Sequence, residues 1–447
     1  MLRKIIELGL LSAVLISVGG FGGTEPISWG IAEALVLLAG LVLAARAKNF
    51  ARDYKRLLWL PAVVSAWIAM QWFESRSGRI GFDTHAIEAQ GLTFATTIVA
   101  FFVTLEVARG RESGKRLALF LIGVGLFEAL YGLGEYLAGW QYIWNVPRRF
   151  YIGSATGTYI NHNHFAGLLE MILPLSLGLA FYHWQSAWRH SRRGAWQSLV
   201  ENLREPGILK SLLFVLAATV LLVAVVFSFS RMGLISMLVS LGVMSTALWA
   251  GRKRNRRPAA LILFLLAGGV ATAAWIGVVP VVEHFEQLPR NEPLAQAGEG
   301  RAALWKDAAQ LVRAHPWTGV GLGCFEYAFT RVQSVQLTYI VDHAHDDYLE
   351  IATELGLPCA ALVFGAIFWV VARTLQASLR AQSNLTRSLA LGALGGACAL
   401  LAHSFADFNL YIPANALVFS VILGMGYATS LEARNEGSAA ITGSRSN

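Results

Sequence analysis

The sequence predicts an all-α, polytopic integral membrane protein with about twelve transmembrane helices. Of its 447 residues, 55% are hydrophobic and only 14% are charged, whereas roughly a quarter of the residues in a soluble domain are charged. Apolar runs of about 20 residues, long enough to cross a bilayer as a helix, recur from one end of the chain to the other. Basic residues collect in alternate loops, as they do in membrane proteins.

The apolar runs delimit twelve predicted spans within a single transmembrane domain over residues 1–447. They cover approximately residues 5–20, 28–45, 57–73, 91–108, 117–137, 165–183, 211–228, 232–250, 259–282, 350–372, 388–404 and 413–430. The first run resembles a signal peptide, but it contains Glu7 and lacks a clear cleavage site, so we expect a retained helix. A long loop is predicted at 283–344, between spans nine and ten, and a flexible cytoplasmic tail at 431–447.

The charge distribution predicts the orientation. If the N-terminus is cytoplasmic, 26 of the 36 Lys and Arg residues fall in cytoplasmic segments. The positive-inside rule then places both termini in the cytoplasm and the 283–344 loop outside. This rule also accounts for the net charge of +8, so we expect no nucleic-acid partner. The three cysteines form neither a disulfide framework nor a CxxC metal motif.

The densest group of ionisable residues lies where the long loop enters the tenth span. It contains His343, His345, Asp346, Asp347 and Glu350, and charge beside an apolar segment usually marks a functional site. Acidic residues also suit the first turn of a helix. Histidine accepts protons near neutral pH, and both histidines stay candidates for a general base. We expect a helix to start near His345.

A second polar group opens the sixth span, with Asn161, Asn163 and His164 in consecutive or alternate positions. Two interpretations stay open: an asparagine that caps the helix, or a polar helix start that contacts an anionic or sugar substrate. Two histidines two residues apart are a weak metal signal, and we predict no metal site. Asp407, in the last outer turn, either forms that turn or supports the site.

Two arginines on the predicted outer face are candidate phosphate ligands. Arg231 lies in a tight turn between two apolar spans, where it either extends to lipid headgroups or donates paired hydrogen bonds to phosphate oxygens. Apolar residues at helical spacing from Leu304 to Val312 predict an amphipathic helix that ends before Pro316. Arg301 then lies in its first turn.

The three glycines that follow Pro316, at positions 319, 321 and 323, alternate with other residues. They follow no predicted strand and open no βαβ unit, so this pattern predicts a turn and not a nucleotide-binding loop.

These segments together resemble the O-antigen ligase and O-antigen polymerase superfamily of polytopic membrane glycosyltransferases. The resemblance covers about 150–425. It rests on Gly157-Thr158 with Asn163-His164-Phe165-Ala166-Gly167, Ser230-Arg231-x-Gly233, Arg301 with Trp305, Pro316-x-x-Gly319-x-Gly321, His345-Asp346-Asp347-Tyr348-Leu349 with Glu354-x-Gly356, and Asp407-Phe408-Asn409 with Pro413. Asp346 replaces a frequent Asn of the family, and Cys359 replaces a frequent Gly.

The resemblance implies a GT-C-like protein of the bacterial inner membrane with a periplasmic active site. It implies an inverting, metal-independent transfer of a glycan from undecaprenyl diphosphate to an acceptor hydroxyl, without a cofactor. His345 is then the base, and Arg231 and Arg301 bind the diphosphate. The residues with supporting roles are Asn163, His164, His343, Asp347, Glu350 and Asp407, and we expect Glu350 or Asp347 to orient His345.

The acceptor stays open at this stage. Lipid A–core corresponds to an O-antigen ligase, a second lipid-linked glycan to a chain polymerase, and a protein side chain to an oligosaccharyltransferase. A transporter or flippase of the lipid-linked glycan is the alternative from another class. Transporters usually place ionisable sites near the bilayer midplane. Here the polar groups gather at one predicted face, which favours an enzyme.

Overall fold

The computed structural model describes residues 2–46, 50–78, 83–188, 205–251, 298–334 and 340–445. The α-helices within these ranges are α1 (Leu2–Gly19), α2 (Pro26–Arg46), α3 (Phe50–Arg76), α4 (Thr84–Val107), α5 (Arg111–Ala138), α6 (His162–Trp188), α7 (Pro206–Phe227), α8 (Arg231–Ala250), α9 (Gly298–Ala314), α10 (Phe325–Phe329), α11 (Asp347–Arg380), α12 (Asn384–His403) and α13 (Pro413–Arg445). Single 3₁₀ turns cover Phe21–Gly23 and Asn409–Tyr411. Two short strands, β1 (Tyr142–Ile143) and β2 (Val146–Pro147), pair antiparallel.

Ten helices in the described ranges are long and apolar enough to cross a membrane, which confirms the all-α polytopic class. Hydrocarbon contains no hydrogen-bond partners for the backbone, so the N–H and C=O groups of a spanning segment must bond to each other, as they do in a helix. The ten correspond to predicted spans two to eight and ten to twelve. The first predicted span coincides with α1, which carries Arg3, Lys4 and Glu7 and is not among the ten. The ninth, 259–282, lies outside the described residues, as do 283–297 and 335–339 of the predicted loop.

Three helices, α6, α12 and α13, form the centre of the bundle. Between 89% and 94% of their apolar stretches are buried, against 11% for α3. Glycines permit the closest approach: a Cβ added at Gly392 of α12 would lie 2.8 Å from the Cα of Leu175 in α6. Close backbone approach at small residues is the usual way in which membrane helices associate. Side chains on these helices are therefore held by the most tightly packed part of the protein.

Helices α6, α8 and α11 begin, and α7 and α12 end, at the same end of the bundle, called the site end below. The Ala155 N–H donates to the Phe227 carbonyl at 2.9 Å, and the Asp347 N–H donates to the Ser404 carbonyl at 2.9 Å. A Cβ added at Gly233 would lie 2.8 Å from that of Ala166, so the first turns of α8 and α6 are in direct contact.

Helix α9 is the predicted amphipathic helix, and it packs at the site end. It ends at Ala314, before Pro316, and buries Leu304, Ala308 and Leu311. These residues pack in a small apolar core with α10 and with Ala344. Trp305 Nε1 donates to the Ala344 carbonyl at 3.0 Å, which ties the start of α9 to the residues that precede α11.

Helix α11 is interrupted at Gly356, and the glycine-rich segment after Pro316 lies against the break. The N–H groups of Val320 and Gly321 donate to the carbonyls of Thr353 and Glu354, each at 3.0 Å. The Leu357 N–H, which the break releases from the helix, donates to the Pro316 carbonyl at 2.8 Å. This segment thus pairs with the helix backbone at the break, which agrees with the predicted turn.

Helix α13 continues to Arg445, so most of the expected flexible tail at 431–447 is helical within the described range. Glu436 holds this extension to its neighbours. Its carboxylate accepts hydrogen bonds from the Thr386 hydroxyl at 3.0 Å, the Gln382 N–H at 2.8 Å and the Arg111 guanidinium at 2.9 Å. These contacts stabilise a helical conformation that the local sequence alone does not require.

We expect Gly356→Ala to destabilise the protein by roughly 1–3 kcal/mol, because Gly356 has φ +76° and ψ 161°, a conformation that almost only glycine adopts. A Cβ there would also lie 2.4 Å from the Trp317 carbonyl oxygen. Gly365→Ala in the same helix is the matched control, since a Cβ at that position meets no atom within 4 Å. Thermal unfolding in detergent checks both variants, and equal midpoints would contradict the role of Gly356.

Candidate functional site

One buried carboxylate, Asp407, lies at the site end where three histidine side chains converge. Its Oδ1 is 3.4 Å from His345 Nδ1 and 3.6 Å from His164 Nε2, and its Oδ2 is 3.9 Å from His403 Nε2. Asp407, His164 and His403 are almost fully buried, whereas the His345 side chain keeps 24% of its surface exposed. Three separate segments thus bring one carboxylate and three imidazoles together, and His345 is the imidazole that solvent reaches most easily.

Phe408 provides an apolar wall for this cluster. Its ring centroid lies 4.6 Å from that of His164, 4.9 Å from that of His345 and 4.1 Å from that of His343. Phe408 follows Asp407 directly, and the Asp407 carboxylate accepts from its N–H at 2.9 Å. The same short turn therefore supplies both the charge of the site and the surface that fixes the imidazole rings.

Local capping explains how His164 and His345 reach Asp407. Asn161 caps α6, because its Oδ1 accepts from the Asn163 N–H at 2.8 Å, and His164 lies in the turn that follows. Asp346 caps α11 in extended conformation and accepts from the Leu349 N–H at 3.0 Å. Burial raises the pKa of Asp346 to about 6, although hydrogen bonds from backbone N–H groups lower it.

A helix start was predicted near His345, and helix α11 begins two residues further on. Helix α11 begins at Asp347, because the extended Asp346 that caps it ends the helical conformation there. His345 precedes the cap with φ +49°, in the left-handed region that side chains rarely adopt. Its ring faces Asp407. Backbone strain of this kind is often found at functional sites.

The pKa of Asp407 lies well below that of an ordinary aspartate. Burial alone would raise the pKa, but the interactions with the neighbouring His164 and His345 lower it further than burial raises it. Asp407 is therefore a carboxylate near neutral pH. A buried carboxylate needs positive charge or hydrogen-bond donors nearby, and the imidazoles supply them.

His343 forms a separate ion pair with Glu350. Its Nδ1 lies 2.6 Å from Glu350 Oε1, and the other carboxylate oxygen accepts from the Ala344 N–H at 2.8 Å. Burial alone would lower the pKa of His343, but the Glu350 carboxylate raises it to about 9. His343 thus keeps its proton near neutral pH, when a general base must be free to accept one. This separates the two histidines that the sequence left as candidates.

The expectation that Glu350 or Asp347 orients His345 was wrong. Both oxygens of Glu350 are engaged by His343 and Ala344. Asp347 accepts from the Ser404 hydroxyl at 2.6 Å and from the Leu410 N–H at 3.1 Å, and so joins the start of α11 to the turn after α12. The reason is that both carboxylates already have other partners: Glu350 binds the His343 side, and Asp347 binds the turn after α12. Asp407, 62 positions away, is the carboxylate beside His345.

The two predicted arginines both lie in first turns at the site end. Arg231 opens α8 directly after the cap Ser230, whose hydroxyl accepts from the Gly233 N–H at 3.1 Å, and its side chain is exposed. Arg301 lies in the first turn of α9, near enough to His403 to interact with it electrostatically. Its buried Nε makes no hydrogen bond to the described residues. A guanidinium whose buried Nε is an unused donor suits an anionic ligand.

A further pair, His403 and Glu170, was not predicted from the sequence. His403 Nδ1 lies 3.0 Å from Glu170 Oε1, and both side chains are completely buried. Each is an ionisable residue in an otherwise apolar span, which is the signal that would have identified them.

Within the described ranges, no group of three or more His, Cys, Asp and Glu side chains is arranged to hold a metal ion.

Comparison with known families agrees with the motifs. A model of the family described as O-Antigen ligase matches residues 215–364, about a third of the chain. The matched range contains Arg231, Arg301 and His345, whereas His164 and Asp407 lie outside it. The match confirms the resemblance to the O-antigen ligase superfamily. No curated protein matches the chain.

We expect the His343–Glu350 pair to make stability depend on pH at the alkaline side. Because the pKa of His343 is raised from 6.5 to about 9, its contribution is fully present below about pH 6.5 and is lost as the pH rises through about 9. Unfolding midpoints measured between about pH 6 and 10 should fall at the alkaline end for the native protein and less for His343→Gln. The control is His85→Gln, whose side chain is 88% exposed, and identical curves for all three proteins would contradict the ion pair.

Proposed function

We propose that this protein is an inverting, metal-independent glycosyltransferase of the O-antigen ligase type. It transfers a glycan from undecaprenyl diphosphate to a hydroxyl of lipid A–core at the periplasmic face of the bacterial inner membrane. The observation that carries the proposal is the His345–Asp407 pair, at 3.4 Å, at the same end of the bundle as two arginines in first turns. The family match over residues 215–364 supports the reaction class.

His345 is the general base in this proposal. Its Nδ1 faces Asp407, which leaves Nε2 to take the proton from the acceptor hydroxyl. The acceptor oxygen then forms a bond to the anomeric carbon as the bond from that carbon to the phosphate oxygen breaks. The electron pair leaves with the diphosphate. Asp407 keeps the ring oriented and stabilises the imidazolium that forms, as the aspartate of a catalytic triad does.

Arg231 and Arg301 bind the diphosphate and stabilise the charge that grows on it. Guanidinium groups match phosphate oxygens with paired hydrogen bonds, and such preorganised donors often provide the largest part of a rate enhancement. The buried Nε of Arg301, which makes no hydrogen bond to the described residues, supports this role. Two arginines also supply positive charge of the kind that a divalent cation supplies to other phosphate-cleaving enzymes.

An apolar cavity beside the site supports a lipid-linked donor. It measures about 590 Å³ and lies between α3, α4, α11 and α13. Leu410 and Tyr411, in the turn that carries Asp407, line the cavity together with Ile351 from the start of α11, and Phe102 and Val370 lie further along it. A hydrocarbon chain in this cavity would place its diphosphate near the site end.

Reconstitution in proteoliposomes tests the proposal. The donor is purified undecaprenyl-diphosphate glycan, the acceptor is lipid A–core, and EDTA is present throughout. We expect a new glycosidic bond, detected by mass spectrometry, with the anomeric configuration inverted in the NMR spectrum. Extension of the donor glycan itself would indicate a polymerase instead. Movement of donor across the bilayer without bond formation would indicate a transporter.

Replacement of His345 by alanine should lower kcat by about 10²–10⁴-fold, the usual cost of a lost general base. His85→Ala, at an exposed position away from the cluster, should retain native activity. Both are measured in the same proteoliposome assay after the folded fraction has been checked by size-exclusion chromatography. A folded His345→Ala protein with native kcat would exclude His345 as the base.

Arg231→Lys and Arg301→Lys should each reduce kcat/KM by about tenfold or more, because lysine keeps the charge but loses the paired donors. Arg149→Lys, at an exposed position in the segment before α6, is the control and should be neutral. If Arg231→Lys turns over donor at the native rate, Arg231 contacts lipid headgroups and not the diphosphate.

A further inference from the structure

We propose that His403 and Glu170 are positioning residues: a buried imidazolium–carboxylate pair that neutralises one side of Asp407 and thereby sets the pH at which His345 can act as a base. The inference rests on the proposed function in so far as His345 is the base. It concerns two residues in the apolar core that neither the family match nor the motifs include, since both lie outside 215–364.

The geometry places His403 between two carboxylates. Its Nδ1 lies 3.0 Å and 3.2 Å from the two oxygens of Glu170, and its Nε2 lies 3.9 Å from Asp407 Oδ2. All three side chains are at most 1% exposed. A neutral imidazole has one N–H donor and one acceptor nitrogen, so it serves one of the two carboxylates at most. The protonated form donates from both nitrogens, and this arrangement favours it.

The two carboxylate oxygens of Asp407 have different neighbours. Oδ2 faces the His403 cation at 3.9 Å, whereas Oδ1 faces His345 and His164 at 3.4 Å and 3.6 Å. The pair is neutral as a whole, but its positive member is the one beside Asp407. The His403 cation therefore weakens the electrostatic attraction between the Asp407 carboxylate and a proton on His345. His403 keeps its own proton during the reaction, so the only proton that moves is the one from the acceptor hydroxyl to His345.

The titratable and charged groups of the cluster come from each of the elements that pack around Asp407. They are His164 and Glu170 on α6, Arg301 on α9, Asp347 on α11, His345 before α11, and His403 and Asp407 at the end of α12 and in its turn. Arg301 is near enough to His403 to interact with it electrostatically, and both groups can carry positive charge.

A purely structural role predicts a different result from a positioning role. A pair that only holds α6 to α12 would affect folding and the rate at every pH alike. A pair that sets the charge around Asp407 must move the pH dependence of His345. The pH–rate profile of kcat/KM therefore separates the two roles.

We expect the acidic limb of the kcat/KM profile to move up by about one pH unit in Glu170→Gln and in His403→Gln, because a nearby charge shifts a titration by about that amount or more. In the first variant, His403 loses the carboxylate that keeps it protonated. In the second, the cation is absent and Glu170 takes up a proton. Either change exposes His345 to the full charge of Asp407, so His345 binds its proton more tightly.

The double variant should shift the limb no further than either single variant, because both substitutions remove the same cation. Glu128→Gln is the matched control. Glu128 is also a fully buried glutamate in a span, but it accepts from the Thr158 hydroxyl at 2.9 Å and lies outside the histidine cluster. The acidic limb of the Glu128→Gln profile should stay at the pH of the native protein. The positioning role of the pair would be overturned if the acidic limb stayed in place in both single variants, or if the two shifts added in the double variant.

Nitrogen-15 NMR of histidine-labelled protein in nanodiscs tests the pair without any transfer reaction. The His345 signal is assigned by its loss in His345→Gln, and its titration should move to higher pH in Glu170→Gln but not in Glu128→Gln. If the native protein forms no glycosidic bond yet this shift occurs, the proposed function fails and the pair stands. If the protein transfers glycan but the His345 titration does not move, the pair is structural only.

Discussion

The burial of one negative charge, that of Asp407, is the constraint on which the site depends. A carboxylate that is 1% exposed in a membrane protein persists only where donors or positive charge surround it. Here that role falls to three imidazoles, each on a different segment. Their nitrogens lie 3.4–3.9 Å away, somewhat beyond hydrogen-bond distance. Catalytic contacts are often this long before substrate binds and shorten afterwards.

The architecture of the bundle supplies what this charge requires. The most buried helices, α6 and α12, carry His164, Glu170 and His403, so the inner half of the cluster is rigid. His345 belongs to the outer half, which is held by the cap of α11 and by the bond from Trp305 to Ala344. A rigid carboxylate with a more exposed base in front of it is the arrangement that proton transfer from a bound hydroxyl needs.

The two histidines before α11 illustrate how neighbours decide a role. His343 and His345 are two residues apart and look equivalent in the sequence. His343 pairs with Glu350 at 2.6 Å, which raises its pKa to about 9, whereas His345 faces Asp407. His343 is thereby held as a cation, whereas His345 faces a carboxylate through one nitrogen only. Their different chemistry follows from these different neighbours, and His345 faces Asp407 from a backbone with positive φ.

The sequence by itself determined the class of fold, the positions of ten spans, the amphipathic helix α9 and the segments from which the candidate site is built. These features are local: they depend on the length of apolar runs, on helical spacing and on capping residues, all of which can be read along the chain. Only the tertiary structure decided which carboxylate faces His345. It also decided that His403 lies between that carboxylate and Glu170. Asp407 and His345 are 62 positions apart, and their contact depends on how α6, α11 and α12 pack, which no spacing within one segment encodes.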